Sequence, residues 1–324
     1  MRCARCDYIF QVDWEWLDLW SQGSRSCPKC DEPSDSEDCA RPYIYDYEPV
    51  LNDDVLRSQA WFHTTHIENW PPRDYDPISQ LAPDSIPRLR RQINLDQWAA
   101  RQKTKALHLG TYESAVHNVY RRIGDQRDGG KPIYLYRVAL RDDVVIRPDW
   151  VVDPSKFGGD IQADAVCRDP ETVARYVNYH EDPGSISLAI RPEAIRAVQE
   201  LPVLSIPTSD VEINQIVSRL NEATQRPLLP KQMIGRLELK SDRSPVIAEA
   251  NEIVQEKTEG LPWPLRDHLR HGALESFDEQ EPGDWAHWLL TCLSLVYQPA
   301  RVMDLLNRKP WRIIFETGSG QYPV

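Results

Sequence analysis

The sequence lacks the short motifs that mark several common enzyme classes. It contains no His-Glu-x-x-His pair of a metalloprotease, no Gly-x-Ser-x-Gly elbow of an esterase, no Gly-x-x-x-x-Gly-Lys-Ser/Thr loop of a nucleotide triphosphatase and no Gly-x-Gly-x-x-Gly turn of a dinucleotide reductase. These absences exclude the commonest forms of those enzymes and leave other chemistries open.

Long apolar runs, a signal peptide and an excess of positive charge are also missing. No stretch of about 18 consecutive apolar residues occurs, so we expect no membrane-spanning helix and a soluble, cytoplasmic protein. The net charge of −12 disfavours broad binding to a phosphate backbone. One basic stretch contrasts with it. A solvated helix face is the common explanation for such a stretch, and contact with the pyrophosphate of NAD or with a macromolecular substrate is the alternative. Its cations are Arg88, Arg90, Arg91, Arg101, Lys103 and Lys105.

Four of the seven cysteines form two close pairs. Cys3-Ala-Arg-Cys6 and Cys27-Pro-Lys-Cys30 are Cys-x-x-Cys knuckles separated by 20 residues, the pattern of a four-thiolate zinc ribbon. A redox role for the pairs, and Cys39 as a substitute ligand, stay open. The scattered single cysteines make a disulfide framework a weak alternative. Because four thiolates close the coordination sphere of zinc, the predicted Zn²⁺ is structural and does not activate water.

Length and composition predict more than one compact unit. A chain of 324 residues with 41% hydrophobic content is long for one domain and can form real cores. We predict a zinc ribbon at 1–45, a central α+β domain at 55–204 and a helical module at 205–324. Residues 31–54 are acidic and contain three prolines, which predicts a linker after the ribbon.

The central part alternates short apolar runs with polar groups. Runs at 61–65, 106–109, 133–140 and 185–190 predict strands, and the spacing of Ala115, Val119 and Ile123 predicts a helix that starts near Tyr112. Polar residues fall at the strand ends, where they predict a site because burying unpaired polar groups is costly. They are His63, Thr65, His108, Thr111 and the segment from Asn178 to Ser187.

These blocks resemble the ADP-ribosyltransferases. Phe62-His63-Thr64-Thr65 is similar to the His-Gly-Ser/Thr strand of that family, and Leu107-His108-Leu109-Gly110-Thr111 to its second strand and the helix that follows. Leu135-Tyr-Arg-Val-Ala-Leu140 is similar to its Val-x-Leu strand. The resemblance covers roughly residues 55–200, and it implies a mixed-sheet fold with NAD as substrate.

The resemblance also implies roles for single residues. His63 would hydrogen-bond NAD, His108 would stand where the family often has a tyrosine, and Glu181 would support the reacting ribose. Thr65, Thr111 and Ser187 would bind NAD beside them. Thr64 in place of glycine and His108 in place of tyrosine depart from the family pattern, and Glu193 is a second candidate for the glutamate.

Beyond residue 205 the pattern is helical. Ser209-Asp210 predicts the start of one amphipathic helix, and 245–257 and 285–306 predict two more. We expect this module to contact a partner protein or to cap the catalytic unit. His268, His271 and His287 have no carboxylate at metal-ligand spacing and are interpreted as structural or surface residues.

The sequence therefore predicts a zinc-ribbon enzyme that transfers ADP-ribose from NAD to a macromolecular acceptor, either protein or nucleic acid. A toxin or defence role would suit such an assembly. Two alternatives stay open. The first is an NAD glycohydrolase or RNA phosphotransferase of the same fold, and the second is a non-enzymatic adaptor.

Overall fold

The computed structural model describes residues 1–72, 75–79, 81, 83–125, 130–152, 161–178, 181–228, 233–234, 237–238 and 244–314. These residues form a mixed α/β structure with a cysteine cluster near the N-terminus. The chain divides into two compact units. Unit 1 contains the described residues of Met1–Ala115, Leu135–Glu200 and Pro310–Val324, and unit 2 those of Val116–Tyr134 and Leu201–Lys309. No helix among the described residues is both long and apolar enough to cross a bilayer.

The strands are β1 (Arg2–Cys3), β2 (Ala40–Arg41), β3 (Trp61–Thr65), β4 (Leu107–Leu109), β5 (Tyr134–Leu140), β6 (Ile146–Val152), β7 (Val173–Val177), β8 (Ile186–Ile190), β9 (Ile195–Pro202), β10 (Met233–Ile234), β11 (Leu237–Glu238) and β12 (Arg312–Ile313). The α-helices are α1 (Trp14–Ser21), α2 (Asp53–Ser58), α3 (Ile86–Gln92), α4 (Leu95–Lys103), α5 (Tyr112–Asp125), α6 (Ala163–Val166), α7 (Asp210–Ala223), α8 (Pro245–Thr258), α9 (Trp263–Glu275), α10 (Pro282–Tyr297) and α11 (Pro299–Asn307).

Unit 1 contains two four-stranded sheets. The first has the strand order β12-β9-β5-β3 and the second the order β4-β8-β7-β6. In the second sheet β8 pairs antiparallel with β4 and β7, whereas β6 and β7 are parallel. An antiparallel bridge between Phe62 and Gly110 joins β3 to the end of β4. All residues of β7 and β8 are buried, as in sheets covered on both faces.

A buried arginine fixes the segment that leads into β3. Arg175 on β7 is 2% exposed, and its guanidinium donates to the carbonyls of Val50 at 2.8 Å and Leu51 at 3.1 Å. It also pairs with Asp53 in the first turn of α2. Residues 31–54 are therefore not only a linker, because β2 completes the ribbon by pairing with β1 and Arg175 holds 50–53.

Unit 2 is mostly helical. The C-terminal half of α5 packs closely on α9, because a Cβ at Gly272 would lie 1.9 Å from Cγ2 of Ile123. Tyr120 of α5 donates to the carbonyl of Cys292 in α10 at 2.9 Å. The side chain of Ser209 caps α7 by accepting from the amide of Glu212, as predicted. These contacts assemble α5, α7, α9 and α10 around apolar side chains.

Several predicted elements are confirmed and others are wrong or incomplete. Strands lie within a residue of the predicted runs at β3, β4, β5 and β8, and α5 begins at Tyr112. The predicted helix at 285–306 is wrong as a single element, because Pro299 has no N–H to continue α10 and α11 starts there. The sequence analysis did not predict β6, β7, β9 or α9. The three-domain division stays a prediction.

Candidate functional site

The four cysteines of the knuckles form one cluster. Their sulfur atoms all lie within 4.8 Å of one another, with 3.6 Å between Cys3 and Cys30 and 3.7 Å between Cys6 and Cys27. A tetrahedral Zn²⁺ with Zn–S bonds of about 2.3 Å requires sulfur atoms about 3.8 Å apart. The cluster therefore fits a zinc ion, and the lone Cys39 is outside it.

The two knuckles have the same backbone geometry. Each ends in an aspartate with positive φ, 56° at Asp7 and 55° at Asp31, a conformation that aspartate tolerates better than most residues. In each, the amide of that aspartate donates to the carbonyl of the first cysteine of the knuckle, at 3.0 Å and 2.9 Å. This repeated turn directs two sulfur atoms from each knuckle to one point.

Cys27 and Cys30 have pKa values that are shifted in opposite directions. Burial and the neighbouring thiols raise the pKa of Cys30 to about 12. At Cys27 burial has the same direction, but backbone N–H donors from Lys29 and Cys30 outweigh it and lower the pKa to about 7. A divalent cation would stabilise all four thiolates together, so metal binding would release protons.

A second group of polar residues lies on one face of the sheet that contains β4, β8 and β7. The register pairs His108 with Ala189 and Tyr176 with Ser187. Because side chains alternate between faces along a strand, His108, Tyr176 and Ser187 point to the same side. His108 Nδ1 lies 3.1 Å from the Tyr176 hydroxyl, and the two rings meet edge to face.

Asn178 connects these polar residues just after β7. It is 1% exposed, and its side-chain amide donates to the hydroxyls of Ser114 at 2.9 Å and Ser187 at 3.0 Å. Its side-chain oxygen accepts from the amides of Glu181 at 2.9 Å and Asp182 at 3.3 Å. One side chain therefore links α5, β8 and the turn that carries the predicted glutamate. We call Ser114, Asn178, Ser187 and Asp182, with Thr111, the Asn178 network.

The start of α5 is held against the same turn. Thr111 caps the helix by accepting from the amide of Ser114 at 3.0 Å, and its hydroxyl donates to the carboxylate of Asp182 at 2.9 Å. Gly110 precedes the helix where a Cβ would lie 2.6 Å from the Ser114 hydroxyl. Only glycine allows this approach, so Gly110 is part of the geometry that brings Thr111 and Glu181 together.

His63 on β3 is fixed from two sides. Its Nδ1 lies 2.8 Å from the carbonyl oxygen of His108, and its ring stacks on Trp70 with 4.1 Å between centroids. A carbonyl only accepts hydrogen bonds, so Nδ1 must carry a proton. The imidazole is thus held in one orientation and one tautomer beside β4.

Trp70 is itself supported by a buried phenol. Its amide donates to the Tyr136 hydroxyl at 3.0 Å, and that hydroxyl lies 2.7 Å from the carboxylate of Glu200. Burial and the adjacent carboxylate raise the pKa of Tyr136, so the phenol stays protonated. Arg312 on β12 donates to the Trp70 carbonyl at 2.5 Å. The segment after β3 thus contains an anchored residue, Trp70, that stacks on His63.

The predicted site residues differ in exposure. His63, His108, Thr111 and Glu181 are half-buried, whereas Thr65 is 6% exposed and Ser187 is fully buried. Thr65 accepts from the amide of Ile67 at 3.2 Å. Thr65 and Ser187 are therefore positioned to support neighbouring groups, while the four half-buried residues form the accessible edge. Tyr179 and His180 of the predicted segment lie outside the described residues.

The sequence analysis named Asn178 only as the first residue of a polar segment, and it did not single out Ser114, Tyr176 or Trp70 as site residues. Asn178 had one available signal, because an asparagine directly after an apolar run and before Glu-Asp-Pro-Gly is typical of a side chain that closes a turn. The resemblance to ADP-ribosyltransferases predicts a tyrosine at position 108, where this chain has His108. Tyr176 on the neighbouring part of the sheet supplies a phenol beside His108.

Comparisons with known proteins give no significant match to any protein-family model, curated protein or solved structure. The proposed function is therefore based on the geometry of the cysteine cluster and of the polar residues around Asn178.

Proposed function

We propose that the protein cleaves NAD and transfers ADP-ribose to a macromolecular acceptor, with structural Zn²⁺ in the ribbon. The observation that best supports this proposal is the Asn178 network, which holds the Glu181 backbone near Thr111 at the start of α5. His63 and His108 are joined on the adjacent strands β3 and β4. A glutamate, a hydroxyl and two imidazoles at one sheet edge suit the binding of a nucleotide sugar.

The chemistry needs few groups. The bond between the ribose anomeric carbon and the nicotinamide nitrogen breaks, and nicotinamide leaves with the bonding electrons. Positive charge develops on the sugar, where a fixed carboxylate stabilises it and orients a ribose hydroxyl. An acceptor oxygen or nitrogen then bonds to the anomeric carbon and loses its proton. Glu181 would supply the carboxylate, while His63, His108 and Thr111 would hold NAD in place.

The strand direction favours Glu181 over Glu193. Antiparallel pairing places Leu109 opposite Leu188 and Leu107 opposite Ile190. Gly110 and Thr111 therefore lie toward the start of β8, the end that Glu181 precedes. Glu193 follows the other end of that strand, in a helical turn at Pro192–Ala194.

The test is nicotinamide release from NAD by the zinc-loaded protein, with cell lysate as the source of acceptors. Wild type, Glu181→Gln and Glu193→Gln are compared. We expect Glu181→Gln to lower the rate at least 100-fold, the size typical of losing one transition-state group, and Glu193→Gln to change it little. Circular dichroism and zinc content confirm that all three proteins are folded.

The products decide between the proposed transfer and its closest alternative. Label on lysate macromolecules supports transfer, whereas free ADP-ribose alone supports an NAD glycohydrolase of the same fold. Transfer of a phosphate to RNA without nicotinamide release would favour an RNA phosphotransferase. No release by wild-type protein would contradict NAD cleavage. A toxin or defence role would follow only from growth inhibition that requires Glu181.

The non-enzymatic adaptor has an observation of its own. In unit 2, α8 and α9 border an open groove of about 490 Å³. Trp263, 40% exposed, lines it together with the charged residues Glu256, Arg266 and Arg270. An exposed tryptophan among charges suits contact with a partner protein. Partner capture by a wild-type protein that releases no nicotinamide, with loss of that capture in Trp263→Ala, would support this alternative.

A further inference from the structure

A basic surface lies on two short helices that precede β4. Arg88, Arg90 and Arg91 are on α3, Arg101 and Lys103 are on α4, and all five side chains are exposed. Only Ile93 and Asn94 separate the two helices, so their charges share one region of unit 1. We use the name basic surface for these five residues.

The charges of the basic surface are not neutralised locally. Within the part of the chain that the structure describes, none of the five forms an ion pair, although Arg91 donates to the carbonyl of Pro87 at 3.2 Å. Residues 83–105 contain six Lys and Arg against two Asp, in a chain with a net charge of −12. The rest of the chain is acidic, so this local excess of positive charge distinguishes residues 83–105 from the rest of the protein.

Helix stability explains only part of the pattern. Arg90 and Arg91 are in the last turn of α3, and Arg101 and Lys103 are in the last turn of α4, where cations favour the helix dipole. Arg88 is in the first turn of α3, where a cation opposes the dipole. Five cations without acidic partners therefore need a further reason.

The end of α4 is held in a fixed position. Gln162 donates to the carbonyl of Arg101 at 3.2 Å and accepts from the Thr104 hydroxyl at 2.5 Å. The amide of Ala163 donates to the Thr104 carbonyl at 2.9 Å. Because α4 runs into β4, these bonds place the basic surface next to the strand that carries His108.

We infer that the basic surface binds the phosphate backbone of a nucleic acid. Four of its five cations are arginines, whose planar guanidinium donates two parallel hydrogen bonds to a phosphate. Nucleic acid also has the charge density to engage five neighbouring cations at once. The inference is independent of the proposed reaction, since binding is measured without NAD.

A membrane surface fits this region less well than nucleic acid. Leu95 and Ala99 of α4 are buried, so the apolar stripe of the helix faces the protein interior. A helix that lies on lipid would have its apolar side exposed. Arginine density rather than exposed apolar area characterises the surface, as phosphate recognition requires.

Fluorescence anisotropy with labelled oligonucleotides of about 20 nucleotides tests the inference, using single-stranded RNA, single-stranded DNA and duplex DNA. We expect binding at low salt with a slope of log K against log salt near about −3.5 for single strands, or −4.5 for a duplex, if all five cations contact phosphates. The three probes show whether RNA or DNA is preferred.

Charge-reversed variants locate the binding. Arg88→Glu/Arg90→Glu/Arg91→Glu and Arg101→Glu/Lys103→Glu are each expected to weaken binding at least tenfold. On a single strand, the salt slope should also become less steep by about 0.7 for each phosphate-binding cation that is replaced. Arg301→Glu/Arg308→Glu in unit 2 is the matched control and should bind as wild type does. Zinc content and circular dichroism verify folding.

Three results would overturn the inference. They are no binding of any oligonucleotide at low salt, equal weakening by the control pair, and tighter binding to polyglutamate or to phosphatidylserine vesicles than to oligonucleotides. Nicotinamide release is not part of the readout, so a failure here leaves the proposed reaction untouched, and a failure of the reaction leaves this result standing.

Discussion

At the residue scale, the candidate site depends on one buried amide. Asn178 uses both N–H donors and its oxygen, and its partners come from α5, β8 and the turn before β8. A buried amide with such complete pairing rigidifies its surroundings, and losing it leaves several polar groups unsatisfied. From its buried position the side chain fixes the backbone of Glu181 and Asp182.

We therefore expect Asn178→Ala to destabilise unit 1 by about 2–4 kcal/mol, because at least two buried partners lose a bond. Urea unfolding measures the change. Asn221→Ala, at an exposed position on α7, is the control and should cost less than about 0.5 kcal/mol. A destabilisation by Asn178→Ala as small as that of the control would show that the network contributes little.

Gly110→Ala tests the close approach of β4 and α5. The new Cβ would lie 2.6 Å from Oγ and 2.8 Å from Cβ of Ser114, so backbone must shift. Overpacking of this kind costs about 1–3 kcal/mol. The melting temperature should fall for Gly110→Ala and not for Gly283→Ala, where an added Cβ meets nothing within 4 Å. Equal melting temperatures would mean that Ser114 relaxes without cost.

Residue type alone indicated which polar side chains to group at the strand ends. It predicted His63, His108 and Thr111 as site residues. The structure joins His63 to the backbone of His108 and Thr111 to Asp182, and the functional roles of these residues stay predictions. Asn178 was not assigned a role of its own because its value comes from joining its near neighbours Glu181, Asp182 and Ser187 to Ser114, which lies 64 residues away in sequence. The spacing of residues in the sequence does not predict which distant side chains will meet one asparagine in the folded protein.

At the element scale, Arg175 joins the segment before β3 to the second sheet. Its guanidinium reaches three carbonyls and Asp53 from a position that is 2% exposed. We expect Arg175→Met to cost about 3 kcal/mol or more, because several buried acceptors lose their donor. Proteolysis within 49–58 should accelerate. Arg196→Met, whose Asp142 partner is 3.6 Å away and exposed, should cost less than about 0.5 kcal/mol.

Ion pairs between the α7 region and α8 make the stability of unit 2 depend on pH. Burial raises the pKa of Glu249, but hydrogen bonds from Arg219 at 2.8 Å and Arg226 at 2.7 Å outweigh it and hold this pKa below its usual value. A depressed carboxyl pKa stabilises the folded state above the unfolded value of about 4.3, and that stabilisation is lost as pH falls through the folded value.

Glu249→Gln should therefore lower the free energy of unfolding by about 1–3 kcal/mol near neutral pH, since both arginines remain partly solvated. The difference from wild type should shrink as pH falls below about 4. Urea unfolding across this range measures both effects, with the exposed Glu222→Gln as control. A difference that is independent of pH would show that Glu249 acts through packing instead.

Elements were predictable where their pattern is local. Apolar runs located β3, β5 and β8, and helical spacing located α5. β7 was missed although it is as buried as β8, because its run contains Arg175, whose partners Val50, Leu51 and Asp53 lie over a hundred residues away in sequence. The break at Pro299 was overlooked because apolar residues continue on both sides of it.

At the scale of the whole molecule, the cysteine cluster was the most predictable part, because two knuckles contain nearly all the information that a four-thiolate metal site needs. Knuckle spacing gave the four ligands, and the structure brings their sulfur atoms together. Division into units was less accessible, since α5 begins in unit 1 and continues in unit 2. Long-range packing decides such a boundary, and no short pattern encodes it.

The last prediction concerns metal removal from the whole protein. We expect one zinc per chain, and chelation near neutral pH should lower the melting temperature, because the buried core around the cluster is small and consists of Cys3, Cys27 and Ala40 with partly buried residues such as Phe10 and Trp16 packed on it. Cys30→Ser should reproduce the loss of zinc. Cys292→Ser is the matched control, since Cys292 is buried in unit 2 away from the cluster, and it should retain one zinc. A Cys30→Ser protein with full zinc content would rule out the four-thiolate site.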